Sequence, residues 1–169
     1  PKSLTMTGNK SVTANFTQLQ HDLQISGTGD GSVSVDGVLR SLPWSGAFDC
    51  GDTVTLEAVP DSCWQLSSWS GDLTGSDNPT QIVIDGEKSV TANFEQTEYT
   101  LNIDGTGSGS VLVDGTPHSL PWSGTYTCGS AVTVEAVPSS CYEFDSWSGD
   151  LSGGVNPRVV TMSAAKSIT

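Results

Sequence analysis

The sequence predicts an all-β protein made of tandem repeats of 78 residues, each a small antiparallel β-sheet unit with no significant helix. The first observation behind this prediction is internal repetition, because the segment SLPWSG at 41–46 returns at 119–124. The second is the spacing of apolar residues, which alternate with polar ones along short runs. A period of two is typical of strands with one buried face, whereas a helix would show a period near 3.6.

The repetition extends over the whole chain. Residues 21–91 align with 99–169 without a gap, at an offset of 78 positions, and more than half of the aligned pairs are identical. The segment KSVTANF occurs at 10–16 and again at 88–94. Such repetition indicates a repeat architecture, and the chain is expected to be a piece of a longer array. We therefore divide it into 1–18, the closing strands of a preceding, incomplete repeat; 19–96, repeat 1; and 97–169, repeat 2, with its last strand truncated.

Short apolar alternations predict five or six strands in each repeat. In repeat 1 they are Leu23/Ile25, Val33/Val35, Val54/Leu56/Ala58, Ile82/Ile84 and Val90/Ala92/Phe94. The glycine-rich segment 27–31 is predicted to be a hairpin connection, and Asp36-Gly37 to be a turn. The spacing of Tyr142, Phe144 and Trp147 breaks the alternation, which predicts a bulge or bend in that segment.

The charge balance excludes two classes of partner. The chain carries 6 Lys+Arg and 19 Asp+Glu, a formal net charge of -13. Binding to nucleic acid and to anionic membranes relies on a positive surface, so we expect neither. The longest apolar runs, such as 82–84, are far shorter than the roughly 20 residues of a membrane-spanning helix. No membrane insertion by this segment is expected.

The cysteines, two in each repeat, predict disulfides. They are Cys50, Cys63, Cys128 and Cys141. An even count in a small acidic β-protein favours disulfides and an oxidising setting. The pair Cys50–Cys63 within repeat 1 is favoured, although it requires a bend that brings the two ends of a hairpin together. The competing pair, Cys63–Cys128, would join the repeats. Four reduced thiols are a further alternative, and a structural zinc is disfavoured because CxxC spacing and nearby histidines are absent.

No catalytic centre is predicted. The two histidines, His21 and His118, are not equivalent under the 78-residue offset, so a function shared by both repeats cannot use them. Catalysis needs an acid, a base or a nucleophile placed by its surroundings, and no such set recurs. The glycines at 27–31 precede a strand rather than the helix that a phosphate loop requires. The sequence therefore predicts a protein that is not an enzyme.

The acidic residues raise the question of calcium. Ca²⁺ takes six to eight oxygen ligands, several of them from carboxylates. Two acidic positions persist in both repeats, as Asp36/Asp114 and Asp72/Asp150, whereas Asp30, Asp77 and Asp85 are replaced in repeat 2. A site common to both repeats would keep its ligands, so turn and capping roles are favoured. We expect no metal or other cofactor, with Ca²⁺ as the alternative.

Tryptophan is the most constant large side chain of the two repeats. Trp69 and Trp147 are expected to fill the core, since burial of an aromatic ring is strongly stabilising. Trp44 and Trp122, in Leu-Pro-Trp-Ser-Gly loops, allow two interpretations. An exposed ring beside a polar loop can stack on a sugar, which predicts a carbohydrate contact, or the two rings can pack at the junction between repeats.

A set of motifs resembles a known family. They are CGSAVTVEAVP at 128–138, CYEF at 141–144, WSGD at 147–150, Asn156-Pro157 and KSVTANF at 88–94. Together they resemble the divergent InlB B-repeat family of bacterial surface and secreted proteins, over essentially the whole chain. The resemblance implies a β-rich module used as a stalk, spacer or adhesive segment, without catalytic residues. The family usually has small residues where this chain has cysteines, so the resemblance gives the disulfides no support.

These observations predict a non-catalytic structural repeat module of a bacterial extracellular or cell-surface protein, as a stalk, spacer, adhesin or filament segment. Its partners would be neighbouring repeats or copies of the same protein, and surface glycans are a further candidate. The N-terminal segment has apolar side chains that would seek a sheet edge. We therefore predict strand addition through Leu4, Met6, Val12 and Phe16. The alternative function is a carbohydrate-binding module of a secreted protein.

Overall fold

The computed structural model describes residue 3 and residues 5–169, and all of its regular structure is β-strand. The predicted all-β class is confirmed. Within the described residues there is no helix of the length and apolarity needed to cross a membrane.

Repeat 1 contains eight strands in two four-stranded sheets. They are β1 (Gln20–Thr28), β2 (Gly31–Val35), β3 (Val38–Arg40), β4 (Trp44–Asp49), β5 (Thr53–Pro60), β6 (Trp64–Gly71), β7 (Thr80–Val83) and β8 (Lys88–Gln96). One sheet has the order β4-β1-β8-β6 and the other has the order β3-β2-β5-β7. Some strands that follow each other in the chain, such as β5 and β6, therefore lie in different sheets.

Repeat 2 follows the same plan. Its strands are β9 (Glu98–Ile103), β10 (Gly109–Val113), β11 (Thr116–Ser119), β12 (Trp122–Thr127), β13 (Ala131–Pro138), β14 (Arg158–Thr161) and β15 (Lys166–Ile168). The sheets have the orders β12-β9-β15 and β11-β10-β13-β14. The counterpart of β6 is not a regular strand here, but an isolated bridge between Gly149 and Ile168 holds its end beside β15.

Each repeat has its own core. In repeat 1 a single buried cluster contains residues of both sheets, so the two sheets pack face to face as a small sandwich. Its members are Leu23, Ile25, Val33, Val35, Val54, Leu56, Ala58, Trp69, Ile82, Ile84, Val90, Ala92 and Phe94. Repeat 2 buries a separate cluster at mostly equivalent positions. The tandem arrangement of two β-units is thus confirmed.

The number and direction of the strands differ from the prediction. Repeat 1 has eight strands where five or six were predicted, because β3 and β4 lack a simple apolar alternation; β4 turns Trp44, Gly46 and Phe48 to its half-buried face. The pairing is also not wholly antiparallel. The closing strand β8 runs parallel to the opening strand β1, with Leu23 opposite Lys88. The chain therefore leaves the repeat at the end opposite to the one where it enters.

The turns confirm some of the predicted local structure and correct one part of it. The segment 27–31 is not a hairpin connection, because it carries the chain from β1 in one sheet to β2 in the other. Asp36-Gly37 does form the turn between β2 and β3, with φ of 47° and 80°, as a type I′ turn requires. The bulge or bend predicted at 142–147 lies in a segment that forms no regular strand, whereas at the equivalent place in repeat 1 the β6–β8 register shifts between Leu66 and Ser68.

Candidate functional site: the junction between the repeats

A single residue, Thr97, separates the closing strand β8 from the opening strand β9. Its N–H donates to the carbonyl of Cys63 at 2.9 Å, and its carbonyl accepts from the N–H of Cys128 at 2.8 Å. The N–H and C=O of an extended residue point to the same edge of the strand. Cys63, before β6, and Cys128, after β12, therefore lie beside the same edge of the chain where Thr97 links β8 to β9.

Cys63 and Cys128 form a disulfide, with Cα atoms 5.3 Å apart. This separation lies within the usual range for a bridge. The favoured prediction, a Cys50–Cys63 bridge within repeat 1, is wrong, and the competing pair between repeats is the one that forms. The junction is thus closed by two backbone hydrogen bonds and one covalent bond.

The sheet order explains why the pairing within repeat 1 fails. Cys50 follows β4 and Cys63 precedes β6, and these strands are the two opposite edges of a four-stranded sheet. The width of three strand spacings alone places the two cysteines about 14 Å apart. They also lie at opposite ends, since Cys50 bonds to Leu19 just before β1 and Cys63 bonds to Thr97 just after β8. A disulfide needs Cα atoms within about 7 Å.

The other two predicted disulfide residues, Cys50 and Cys141, are free and exposed. Under the 78-residue offset, Cys50 is the counterpart of Cys128 and Cys141 is the counterpart of Cys63. The N–H of Cys50 donates to the carbonyl of Leu19 at 2.8 Å, as that of Cys128 donates to Thr97. Cys50 and Cys141 therefore hold the same places in their repeats as Cys128 and Cys63 hold at the Thr97 junction.

The described residues of 1–18 belong to no strand. Three strand-addition candidates are exposed there: Met6 by 67%, Val12 by 76% and Phe16 by 91%. The fourth, Leu4, lies outside the described residues. Their use in strand addition, and the role of 1–18 as closing strands, stay predictions.

Sequence reasoning missed a cavity in repeat 2. It has a volume of about 360 Å³ and is lined by residues that include Gly109, Leu120, Phe144, Trp147 and Thr169. At the corresponding place in repeat 1, Phe94 lies over Gly31, so closely that a Cβ atom on Gly31 would be 2.7 Å from Phe94 Cζ.

Two of the tryptophans fill the cores, as predicted. Trp69 is 2% exposed and Trp147 is 5% exposed. Each indole Nε1 donates to a backbone carbonyl in the following loop, that of Asp77 at 3.0 Å and that of Val155 at 3.2 Å. The loop after β6 and its counterpart are thereby fixed to the core.

Trp44 and Trp122 are half-buried and pack against the edges of the two cores. The Arg40 guanidinium lies 5.3 Å from the centroid of the Trp44 ring, and the equivalent residue His118 lies 4.8 Å from that of Trp122. Neither ring lies at the junction formed by Thr97. These contacts give both rings a packing role. The carbohydrate contact of Trp44 and Trp122 stays a prediction.

The persistent acidic residues make local hydrogen bonds. Asp36 and Asp114 each accept a backbone N–H at 2.8 Å from the strand beside their turn. Asp72 and Asp150 each accept an N–H of the closing strand at 2.7 Å. Among the described residues, no group of three or more His, Cys, Asp or Glu is placed to hold a metal ion.

The histidines take unrelated positions. His21 lies in β1 with its Nδ1 3.6 Å from a carboxylate oxygen of Glu87, whereas His118 lies in β11 against Trp122. The structure does not bring them together.

Both repeats match a known family of domains. A family model of the divergent InlB B-repeat domain matches residues 21–98 and again residues 99–169. The chain belongs to the divergent InlB B-repeat family. Comparisons with curated proteins and with solved structures gave no match. The two InlB B-repeats meet at the Thr97 junction, and membership of this family indicates a bacterial surface repeat module.

Proposed function

We propose that the chain is a non-catalytic structural segment of an extracellular or cell-surface bacterial protein, in which InlB B-repeats are joined end to end as a stalk or spacer. The observation that carries this proposal is the junction at Thr97, where the Cys63–Cys128 disulfide bridges two repeats that are one residue apart. A free linker would let the repeats swing, whereas this junction restrains their relative orientation.

The direction of the strands supports an extended array. Because β8 is parallel to β1, the chain enters each repeat at one end of the sheet and leaves at the other. The register displaces Thr97 from Leu19 by a distance that corresponds to about 40 Å along the strands. Each added repeat would lengthen the segment by a similar amount, which is the property required of a stalk. Short connections of this kind favour nearest-neighbour contacts along one dimension.

The disulfide also has a mechanical consequence. It closes a loop of sequence separation 65, which contains the last strands of repeat 1 and the first strands of repeat 2. When the chain is pulled by its ends, this loop cannot extend while the bridge is intact. The disulfide therefore prevents about 220 Å of chain from extending under a pulling force.

Force spectroscopy tests this proposal. We expect the contour length released on full unfolding to be about 220 Å shorter under oxidising conditions than with a reductant present. A Cys63→Ser variant should release the full length under both conditions, and a Cys50→Ser variant should behave as the unaltered chain. Equal contour lengths with and without reductant would refute the proposal that the disulfide joins the two repeats of a stalk.

Strand addition through the N-terminal segment is the finer part of the proposal. The exposure of Met6, Val12 and Phe16 supports it, because apolar side chains of this kind become buried when a strand joins a sheet. Deletion of residues 1–16 should lower self-association as followed by light scattering and electron microscopy. Unchanged self-association would overturn this part and leave the stalk proposal standing.

A carbohydrate-binding role is the second candidate. A cavity of about 420 Å³ lies beside Trp44, and its other lining residues include Gln24, Ser26, Ser45 and Ser89, which offer hydrogen-bonding groups to a sugar. Titration of a broad set of glycans, followed by tryptophan fluorescence, tests this role. Binding that is lost in Trp44→Ala and Trp122→Ala would support it, and no response to any glycan would reject it.

A further inference from the structure

The outward face of the sheet β4-β1-β8-β6 in repeat 1 is uncharged over its central part. Side chains alternate along its strands, and those of Leu23, Ile25 and Val90 are buried in the core. The side chains that alternate with the buried ones face outward, and in this part of the sheet they are hydroxyls and amides. They are Gln24, Ser26, Thr28, Ser45, Ser68, Ser70, Ser89, Thr91 and Asn93. A partner of this face would therefore meet hydrogen-bonding groups without charge.

One half of this face is hydrogen-bonded within itself. Ser26 Oγ lies 2.8 Å from Thr91 Oγ1, and Thr28 Oγ1 donates to Asn93 Oδ1 at 3.2 Å. The Nδ2 of Asn93 donates to Ser70 Oγ at 3.0 Å. These cross-strand bonds hold the side chains in fixed positions and use much of their capacity to bond a partner.

The other half of the face has free polar groups. Gln24 lies opposite Ser45 on one side and opposite Ser89 on the other, so the three side chains form one row across three strands. None of the three side chains forms a hydrogen bond with any residue that the structure describes. The row therefore retains an amide and two hydroxyls, all of which can both donate and accept.

These free groups line the cavity of about 420 Å³ beside Trp44. Strand β4 begins at Trp44, which pairs with Ile25, whereas β1 continues as far as Thr28. The cavity lies where β1 passes the first residue of β4, and the exposed ring of Pro43 is part of its wall. Small-molecule sites have volumes of roughly 300–1,000 Å³ and combine an apolar wall with a few polar groups. The cavity has both properties.

The charges around the cavity select against an anionic ligand. The lining contains no charged side chain. The carboxylate of Asp72 accepts the N–H of Ser89 at 2.7 Å and so places a negative charge beside the cavity. Lys88, the cation next to Ser89 in the chain, is already paired with Asp85. An anion would therefore be repelled and would find no free cation in the lining, whereas neutral hydroxyls match the free groups.

We propose that this cavity of repeat 1 is a binding site for a neutral glycan. The Gln24 amide and the hydroxyls of Ser45 and Ser89 bond to hydroxyls of the sugar, and an apolar face of the sugar ring packs against Pro43. This inference rests on the carbohydrate-binding role proposed above as the second candidate, and it names the ligand class of that role, an uncharged oligosaccharide. The stalk function does not depend on it.

Repeat 2 differs from repeat 1 at two positions of this site. Asn102 stands in place of Gln24, and Asp104 stands in place of Ser26. The side chain of asparagine is one methylene shorter, and an ionised carboxylate adds a negative charge and can only accept hydrogen bonds. The proposal therefore concerns repeat 1, and its test is read from residues of repeat 1.

Titration of the full chain with oligosaccharides of equal length, followed by amide NMR, tests the ligand class. The neutral probes are cellopentaose, maltopentaose and N-acetylchitopentaose, and the acidic probe is pentagalacturonate. We expect a neutral probe to shift the side-chain amide signal of Gln24 and the backbone signals of Ser26 and Ser45, with a Kd about tenfold or more below that of pentagalacturonate.

The other outcomes separate the proposals from one another. Equal or tighter binding of pentagalacturonate would overturn the neutral ligand class and leave a carbohydrate-binding role standing. Binding that shifts only signals remote from Gln24 would overturn this site. No binding of any probe would overturn the inference and count against the carbohydrate-binding role, while the stalk function would still be judged by the contour lengths.

A pair of glutamine variants tests the role of the free amide. Gln24→Ala should weaken binding of the neutral probe about tenfold, because it removes the group with the most hydrogen-bonding capacity in the row. Gln20→Ala is the matched control, since Gln20 lies on the same strand and face but its amide is bonded to Asp49 outside the cavity. Both side chains are exposed, so urea unfolding should show both variants folded. Unchanged affinity in Gln24→Ala, or an equal loss in Gln20→Ala, would overturn the proposal.

Discussion

The side-chain amide of Asn78 forms two hydrogen bonds with the backbone of Ala58. Its Oδ1 accepts the Ala58 N–H at 2.8 Å and its Nδ2 donates to the Ala58 carbonyl at 2.9 Å. Asn156 and Ala136 repeat the arrangement in repeat 2, with both distances 2.8 Å. The amide thus extends the ladder of β5 beyond the last residue that pairs with β7, and it pairs backbone groups that are partly withdrawn from water.

We predict that Asn78→Asp lowers the free energy of unfolding of repeat 1 by about 1–3 kcal/mol, because the Ala58 carbonyl loses its donor and faces a carboxylate. Urea unfolding measures the change. Gln81→Glu introduces the same charge at a nearby exposed position and should cost much less. Equal losses in the two variants would show that added charge, and not the broken pair, is responsible.

Trp69→Phe should also destabilise repeat 1. The substitution removes the bond from Nε1 to the Asp77 carbonyl and leaves a gap at a position that is 2% exposed. We expect a loss of about 2 kcal/mol or more in thermal or urea unfolding. Trp44→Phe is the control, because that ring is only half-buried and should cost less. A larger loss at Trp44 would contradict the assignment of Trp69 to the core.

Removal of the junction disulfide should lower stability and uncouple the repeats. In the chain-entropy description, a bridge that closes a loop of sequence separation 65 stabilises by about 4 kcal/mol. Calorimetry of Cys63→Ser should therefore show a lower melting temperature and a broader or split transition. Cys50→Ser removes a free thiol and should change neither. A loss of equal size in Cys50→Ser would mean that the bridge is not the source of the stability.

Tyr126 should make the stability of the folded chain depend on pH in the alkaline range. Burial, and secondly the carboxylate of Asp114, raise the pKa of Tyr126 above its usual value of 10.0. The folded state therefore holds this proton more tightly than the unfolded state. Its contribution to stability is fully present below about pH 10 and is lost as pH rises through the pKa of the folded state.

The direction of this pKa shift determines the effect that we expect of Tyr126→Phe. The variant should lose less stability than the unaltered chain between about pH 9 and pH 11, measured by urea unfolding at each pH. Phenylalanine suits the position, since Phe48 is its counterpart in repeat 1. Tyr142→Phe, at an exposed tyrosine, is the control. An unchanged pH dependence in Tyr126→Phe would contradict the role of Tyr126.

Local pattern predicted much of the fold because strands and turns depend on near neighbours. Alternation identified β1, β2 and β5, and the Asp36-Gly37 dipeptide identified their first true hairpin turn. The pattern failed at β4, whose inward face is Trp44, Gly46 and Phe48, because the glycine leaves room for the neighbouring indole and does not appear as an apolar residue. It failed again at 27–31, where the local turn signal is the same for a hairpin and for a crossing between sheets.

The sequence by itself determined that this protein is a tandem of two β-repeats, because a 78-residue offset and a period of two are properties of the order of residues. Only the tertiary structure decided which cysteines pair. The pairing depends on the sheet order, which places Cys50 and Cys63 at opposite edges of one sheet and brings Cys63 and Cys128 together beside Thr97. Sequence spacing does not specify such distances, because they arise from strands that are far apart in the chain and adjacent in space.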